Sequence, residues 1–432
     1  MNRLSRIFQP LTIKPRNAEI LNLEGLSCSQ KLMMNMGIIK PSNPGCYHLL
    51  PLGIRSIEKL TKLIELEMKT IDGQKIEMPL LTSAQLWQKT GRYQSVTSEL
   101  FVVNDRHSKE LIINPTNEES ITDLISSVSP ISHRQLPLRL YQITNKFRDE
   151  MKPRFGLLRS RQFLMKDLYS FDSNIDNAKH TYNEICQSYD RIFQKIGIDF
   201  LKVQASTGTI GGTSSHEYHF MSPIGEDQII VCNKCKYACN QELIAVDQKI
   251  CTKCGENDNF QILNGIEVGH TFLLGDRFSK PLDATYLSNE GKPKHLQMGC
   301  FGLGLSRILA ATLEILSEND QLRWPRILSP YTLIIIGPKE GSKEQTKIQN
   351  LPEELYNTLN AVPTIHEDIL IDDRNNMTIG KRLLEAKRVG YPFILVIGKK
   401  SLEDIPEFEL HDLVNKTEHS FSESALIDFL LD

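Results

Sequence analysis

At 432 residues the chain is too long for one ordinary core, which favours two or three domains. Its 40% hydrophobic and 24% charged residues describe a soluble globular protein. No apolar run reaches the roughly 18 residues that cross a bilayer, so no membrane partner is expected. A net charge of −3 excludes a blanket nucleic-acid coat but leaves room for a local basic surface. Nine cysteines, an odd count in a long chain, do not read as a secreted disulfide framework.

The first 18 residues carry Arg3, Arg6, Lys14 and Arg16 and no acid. That is the composition of a mitochondrial transit segment, and a frayed basic terminus is the alternative. From Pro51 to Ile71, apolar residues recur at three- and four-residue steps, predicting an amphipathic helix that Gly73 ends. "QKIEMPLL" follows as a short strand, and "ELFVV" and "ELIINP" as a hairpin. "LRLYQITNKF" is a longer strand and "FLMKDLYSF" its return. Asp172 is then expected to cap a helix that buries Ala178, Tyr182, Ile185, Tyr189, Ile192 and Phe193. After the proline-marked "RWPRILSP" the pattern changes. Strand and helix alternate through "YTLIIIG", "HEDILID", "IGKRLLEAKRVG" and "PFILVIG", a small α/β domain with a mainly parallel sheet. The boundary falls near 325–332, and the part before it reads as an antiparallel sheet with helices around it.

Between the two long strands lies "FRDEMKPRFGLLRSRQF", which packs Arg148, Lys152, Arg154, Arg159 and Arg161 against Asp149 and Glu150. Arginine stays charged and offers a fork of donors that fits phosphate oxygens. A carboxylate attacking a triphosphate needs such fixed cations to cancel repulsion. Two residues apart on a strand, Arg148 and Glu150 share a side, so Glu150 either holds Arg148 or faces an adenine amino group. Phe163 suits stacking on a base. The plain alternative is a solvated charged hairpin. Further on, "GCFGLGLSRILAA" supplies Gly302 and Gly304, where backbone can approach a ligand, and Arg307 at a helix start.

The helix ending near Pro79, the "FRDE" segment and this glycine segment resemble, in order, motifs 1, 2 and 3 of the class II aminoacyl-tRNA synthetases. The phrases "NPTNEE", "FRDEMKPRFGLLRSRQFLMKDLYSF", "GGTSSHEYHF", "IEVGHTFLLG", "MGCFGLGLSRILAA" and "DDRNNMTIGKRLLEAKRVGYPFILVIG" are similar to the prolyl-tRNA synthetases of bacterial and organellar type. The resemblance implies an α+β catalytic domain on an antiparallel sheet over 19–325, then an α/β anticodon-binding domain over 331–432. It implies ATP with Mg2+, L-proline and tRNA(Pro) as partners, a homodimer, and prolyl-adenylate formation followed by transfer to the tRNA 3′ end. With the leader it implies the mitochondrial matrix, the cytoplasm being the alternative.

By this resemblance Arg148 would bind the α-phosphate and the substrate carboxylate, and Arg159 and Arg307 the outer phosphates. Phe163 would stack on adenine with Glu150 at its amino edge, and Gly302 and Gly304 would leave the nucleotide room. Thr116 and Glu118 would grip proline's cationic amine, whose two N–H donors suit one hydroxyl and one carboxylate. A capping box from Thr116 to Glu119 is the structural alternative. His270 and Phe272 would wall the pyrrolidine ring, with Glu217 lining the same cavity and Cys300 at its floor. Arg154 and Arg161 would touch the tRNA end or form salt bridges. In the last domain Arg374, Lys381, Arg382, Lys387 and Arg388 would meet the anticodon, a solvated helix face being the alternative.

The family's large editing domain has no room in this chain; only a short cysteine-rich insert, 231–264, stands there. In it Cys232, Cys235, Cys251 and Cys254 form C-x2-C-x15-C-x2-C, the spacing of a structural zinc site, against reduced and uncoordinated thiols. The rival from another class is a non-catalytic synthetase relative kept as a nucleic-acid-binding subunit. Such a chain is expected to have lost Arg148, Glu150, Arg159 and Arg307, and all four are present.

Overall fold

The computed structural model describes residues 1–11, 25–243, 250–257, 259–318 and 320–431. The chain divides into two compact units. One comprises Asn43–Cys46 and Thr61–Ala311; the other comprises Met1–Ser42, Tyr47–Leu60 and Thr312–Asp432.

Helix α1, Pro51–Lys69, has the expected periodic face, with Ile57, Leu60, Ile64 and Met68 buried. The first unit is then built on one sheet. Its strands are β1 (Gln74–Lys75), β2 (Leu138–Phe147), β3 (Gln162–Asp172), β4 (Phe200–Gln204) and β5 (Ser214–Met221). They continue with β6 (Asp227–Cys232), β7 (Ala238–Asn240), β8 (Phe260–Gly275) and β9 (Gln297–Gly304). The order is β5-β4-β7-β6-β8-β9-β3-β2-β1, and β5 also pairs with β8. Strands β2 and β3 pair antiparallel, from Leu138↔Phe171 to Phe147↔Gln162, as a strand and its return. "QKIEMPLL" is strand only at its two ends, Gln74–Lys75 and from Leu81 on.

Two further helices belong to this unit. The first, α2 (Glu118–Ser127), buries Ile121 and Ile125. The second, α3 (Ile175–Ile196), buries all six residues expected of it. Its cap differs from expectation. Strand β3 runs on through Asp172, paired with Gln297, so Asp172 is spent in the sheet and accepts from Thr181 Oγ1 at 2.8 Å. Asn174 takes the cap instead, accepting from the Asn177 N–H at 2.9 Å. Helix α4, Leu305–Leu316, follows β9 directly.

In the other unit, β10 (Leu333–Ile336), β11 (Ile369–Asp372) and β12 (Phe393–Val396) form a parallel core whose residues are buried throughout. Strands β13 (Phe408–Asp412) and β14 (Thr417–Phe421) extend it antiparallel, in the order β11-β10-β12-β13-β14. Helix α5, Ile379–Val389, ends at Gly390, whose φ of +83° suits glycine. Of the basic N-terminal stretch, residues 12–18 lie outside the described residues. Before them Leu4 is buried, the Asn2 carbonyl accepts from the Ile371 N–H at 3.0 Å, and Arg3 pairs with Glu353 at 3.2 Å.

Candidate active site

Strands β2, β3, β9 and β8 lie side by side, and the functional side chains gather along them. A cavity of about 320 Å³ is lined by Thr116, Glu118, Arg148, Phe163, Glu217, Glu267, His270, Phe272, Cys300, Gly302, Gly304 and Arg307. A second cavity of about 240 Å³ is lined by Glu150, Arg159 and Glu226, and shares Arg148, Glu267 and Arg307 with the first. All eleven residues expected to bind ATP or proline therefore line one or both cavities.

At one end sits a carboxylate built with care. Thr116 precedes α2 rather than lying in an extended segment with Glu118. The Lys146 ammonium donates to Asn117 Oδ1 at 2.6 Å and the Asn117 N–H to Tyr169 Oη at 2.9 Å, which fix this turn on the sheet. Thr116 Oγ1 donates to both Glu118 oxygens at 2.8 Å, so the capping box to Glu119 does not form. The Cys300 thiol donates to Glu118 Oε1 at 3.0 Å, and Arg92 Nη1 to Glu118 Oε2 at 3.0 Å. The same Arg92 nitrogen reaches Glu119 at 3.1 Å, and all three side chains are buried. One guanidinium thus faces two carboxylates. Burial alone would raise Glu118, but the Arg92 charge and the bonds from Cys300 and Thr116 hold its pKa below the usual value. Burial, reinforced by the Glu118 charge, pushes Glu119 up to about 7 in spite of Arg92. Nothing in the local pattern of "TGRY" announces Arg92, because its partners lie 26 and 27 residues away.

His270 and Phe272 form a wall, their rings stacked at 3.9 Å between centroids. His270 Nε2 lies 2.6 Å from Ser215 Oγ, and Nδ1 3.1 Å from Glu267 Oε1. Glu267 also accepts from Arg307 Nη1 at 3.1 Å. Burial would raise its pKa, yet the His270 bond and the Arg307 charge hold it far below the carboxylate range. Glu267 was not among the expected site residues, although it lies in the quoted "IEVGHTF", three places before His270.

Arg148 is the exception among these charges. Its guanidinium lies over the Phe163 ring, 5.3 Å from the centroid, and among the described residues no carboxylate pairs with it. Burial and the nearby Arg307 charge press its pKa down from the ordinary value, though an arginine keeps its proton in a protein. A recessed, unmatched cation beside a second one is a site for an anion. Glu150 is not on a strand with Arg148, since β2 ends at Phe147. Its carboxylate is held by Arg159 Nε at 3.0 Å, and Arg159 also reaches Glu226 at 2.7 Å. Arg154 pairs with Glu226, and Arg161 bonds the Glu150 carbonyl at 3.0 Å and Asp149 at 3.3 Å.

A Cβ on Gly302 would meet only Met165 Sδ at 3.7 Å and the His270 carbonyl at 3.9 Å; one on Gly304 would meet Arg307 Cβ at 3.4 Å. Protein packing therefore does not demand glycine at either place. What the missing side chains leave is open cavity.

Away from the cavities, Cys232, Cys235, Cys251 and Cys254 bring their sulfurs within 4.8 Å of one another. Cys232 and Cys254 stand 3.7 Å apart, as do Cys235 and Cys251, and all four are free thiols. In the other unit Arg382 is buried, bonded to the Gly337 and Asp372 carbonyls, so it is a strut of the fold and presents nothing to a partner. Arg374 is held by Asp372 and Glu385 at 2.7 Å, and Lys387 pairs with Glu418 at 3.4 Å.

The profile of the tRNA synthetase class II core domain (G, H, P, S and T) matches residues 101–316, and that of the anticodon binding domain matches 332–432. The fold and its two domains are therefore those of a class II tRNA synthetase. A human protein named "Probable proline–tRNA ligase, mitochondrial" is 47% identical over 412 residues, 94% of this chain and 86% of its own. A mouse protein of the same name is 46% identical, with the same shares covered. An Ehrlichia chaffeensis "Proline–tRNA ligase" is 36% identical over 93% of each chain. The chain belongs to the proline–tRNA ligase family. A Giardia lamblia prolyl-tRNA synthetase solved in complex with prolyl-adenylate shares the fold, with a TM-score of 0.77, 18% identity, and 92% of this chain and 74% of that chain covered.

The shared Arg92 generates a pH prediction. Glu119 rises from 4.5 to about 7 on folding, so the folded state keeps a proton that the unfolded chain releases. Stability from this group is complete below about pH 4.5 and is lost as pH climbs toward 7. Glu119→Gln mimics the protonated form. Its urea midpoint should gain on the parent's steadily across that window, and parallel curves would refute the assignment.

Proposed function

We propose that this chain activates L-proline with ATP and transfers it to the 3′ end of tRNA(Pro), with each residue acting as follows. The observation that carries the reading is the unpaired Arg148 in a cavity that also holds a buried, ionised Glu118. Proline's ring nitrogen, a cation with two N–H donors, is met by the Glu118 carboxylate and the Thr116 hydroxyl. Its apolar ring lies on the His270–Phe272 wall. Its carboxylate is drawn to Arg148, which also holds the α-phosphate. A carboxylate oxygen attacks the α-phosphorus, the bond to pyrophosphate breaks, and prolyl-adenylate forms. A ribose hydroxyl of the tRNA terminal adenosine then takes the acyl group. Neither step needs a covalent enzyme nucleophile, because position and charge neutralisation supply the acceleration.

Arg159 and Arg307 take the outer phosphates, Phe163 stacks on adenine, and Glu150 stands at the edge of the second cavity. Magnesium neutralises phosphate charge when bound. The four clustered cysteines would hold a structural zinc ion. A tetrahedron of sulfurs about 2.3 Å from zinc has edges of about 3.8 Å, and the two measured S–S distances are 3.7 Å. Residues 19–325 act as the catalytic domain and 331–432 as the anticodon-binding domain. Motif 1 supports a homodimer. Mitochondrially named relatives support work in the matrix; the acid-free stretch 1–18 supports a transit segment by composition alone, since Asn2, Arg3 and Leu4 are tied into the folded chain.

Proline-dependent ATP–pyrophosphate exchange tests the reading. Arg148→Ala, still folded, should lose about 100- to 1,000-fold, as removal of a preorganised charge at the reacting centre does; undiminished exchange would end it. Gly302→Ala should melt at the parent's temperature yet raise the KM for ATP several-fold, because its methyl enters open cavity. A proline-sized pocket gains only about 1–3 kcal/mol per methylene against alanine. With no editing domain, purified protein should leave alanyl-tRNA intact, and rapid deacylation would contradict this.

A further inference from the structure

The cysteine cluster repeats one local design twice. The Lys236 N–H donates to the Cys232 carbonyl at 2.9 Å, and the Gly255 N–H donates to the Cys251 carbonyl at 2.9 Å. The Cys232 N–H donates to the Tyr237 carbonyl at 2.9 Å, and the Cys251 N–H to the Glu256 carbonyl at 2.8 Å. Lys236 and Gly255, each one residue past the second cysteine of its pair, have φ of +58° and +71°. For a lysine that backbone is costly and needs a cause. Two tight turns of equal form present their sulfurs to one point. This is a built site, not a chance gathering of thiols.

What the site is attached to matters more. Cys232 ends β6 and lies opposite Phe260, the first residue of β8. Strand β8 is sixteen residues long and carries Glu267 at its middle and His270 and Phe272 in its far half. The first turn leads straight into β7, only three residues long and fully buried between β6 and β4. So short a strand has little register of its own, and the turn before it must set where its side chains fall. Its last residue is Asn240. Asn240 Oδ1 accepts from the Glu242 N–H at 3.4 Å, which turns Nδ2 toward Glu217 Oε2 at 3.3 Å. The same Glu217 oxygen accepts from His219 Nε2 at 2.8 Å, and Oε1 stands 3.8 Å from His270 Nδ1. Glu217 lines the larger cavity.

We propose that Asn240 is a positioning residue for the amino-acid pocket, and that the four-cysteine site sets its place. The first cysteine turn fixes β7, β7 fixes Asn240, and Asn240 holds Glu217 against the His270 wall. The link rests on the proposed zinc reading, but its own residue can be tested separately. Metal at Cys232, Cys235, Cys251 and Cys254 would then govern how well the enzyme holds its amino acid, with little effect on how it holds the nucleotide.

The experiment uses the full chain, purified without chelator, with zinc measured by elemental analysis and exchange kinetics measured against both substrates. About one zinc per chain is expected in the parent and in Asn240→Ala. The variant should raise the KM for proline about 10-fold, the weight of one hydrogen bond to a charged group. Its KM for ATP should stay within about two-fold. Stripping zinc from the parent should produce the same split, and stripping it from Asn240→Ala should add little, because the two act in series. An unchanged KM for proline in zinc-loaded Asn240→Ala overturns the link. So does a full second loss on stripping that variant. Protein that carries no zinc overturns the metal reading alone, since the effect of Asn240→Ala is read without it.

Discussion

The site turns on a charge left unmatched. Every other guanidinium around the two cavities is tied: Arg307 to Glu267, Arg159 to Glu150 and Glu226, Arg154 to Glu226. Among the described residues Arg148 lies recessed over Phe163 with no carboxylate in salt-bridge contact. Holding it there costs free energy through desolvation and through repulsion by Arg307. An anion that enters recovers that cost at the moment of binding. This is why the neighbouring pairs matter: Glu267 and Glu226 keep the other arginines in place so that the free one has a fixed geometry to act from.

The opposite sign is handled in the opposite way. A buried carboxylate meant for an ammonium ion must stay ionised when the ion is absent. Glu118 does so because Arg92, Thr116 and Cys300 all stabilise its charged form. Glu119 must share Arg92 with Glu118, and its burial, reinforced by the Glu118 charge, appears as a raised pKa. The cost of keeping Glu118 charged is thus moved one residue along the helix, away from the cavity.

Much of this was legible in the sequence, and the pattern of what was not is physical. The segments read as two long strands match β2 and β3 to within a residue, although their burial runs in unbroken stretches, and the 3.6-residue period placed α3 because burial enforces that period directly. Conventional local roles failed where long-range pairing took the side chain first. Asp172 was read as a cap, but β9 pairs it into the sheet. Of the two readings of Thr116, the pairing with Glu118 forms and the alternative capping box to Glu119 does not. Arg382 was read as a surface cation, but carbonyls of Gly337 and Asp372 draw it into the interior. Arg92 was missed for the same reason, since a charge's partner is a tertiary fact. Glu267 is different: it sat inside a phrase already quoted, and its spacing of three from His270 was a signal available to be used.

Strand β8 joins these themes. Its first residue faces a cysteine of the four-thiol site, and its later residues supply the carboxylate that holds Arg307 and the rings that form the pocket wall. Antiparallel pairing with β9 places His270 opposite Gly302, so wall and open space are set by one register. A one-residue slip in β8 would turn Glu267, His270 and Phe272 to the wrong faces together. A strand with that much depending on its register gains from being anchored at the end remote from the chemistry. Two preorganised turns of cysteine do that without placing any rigid group where substrates must pass.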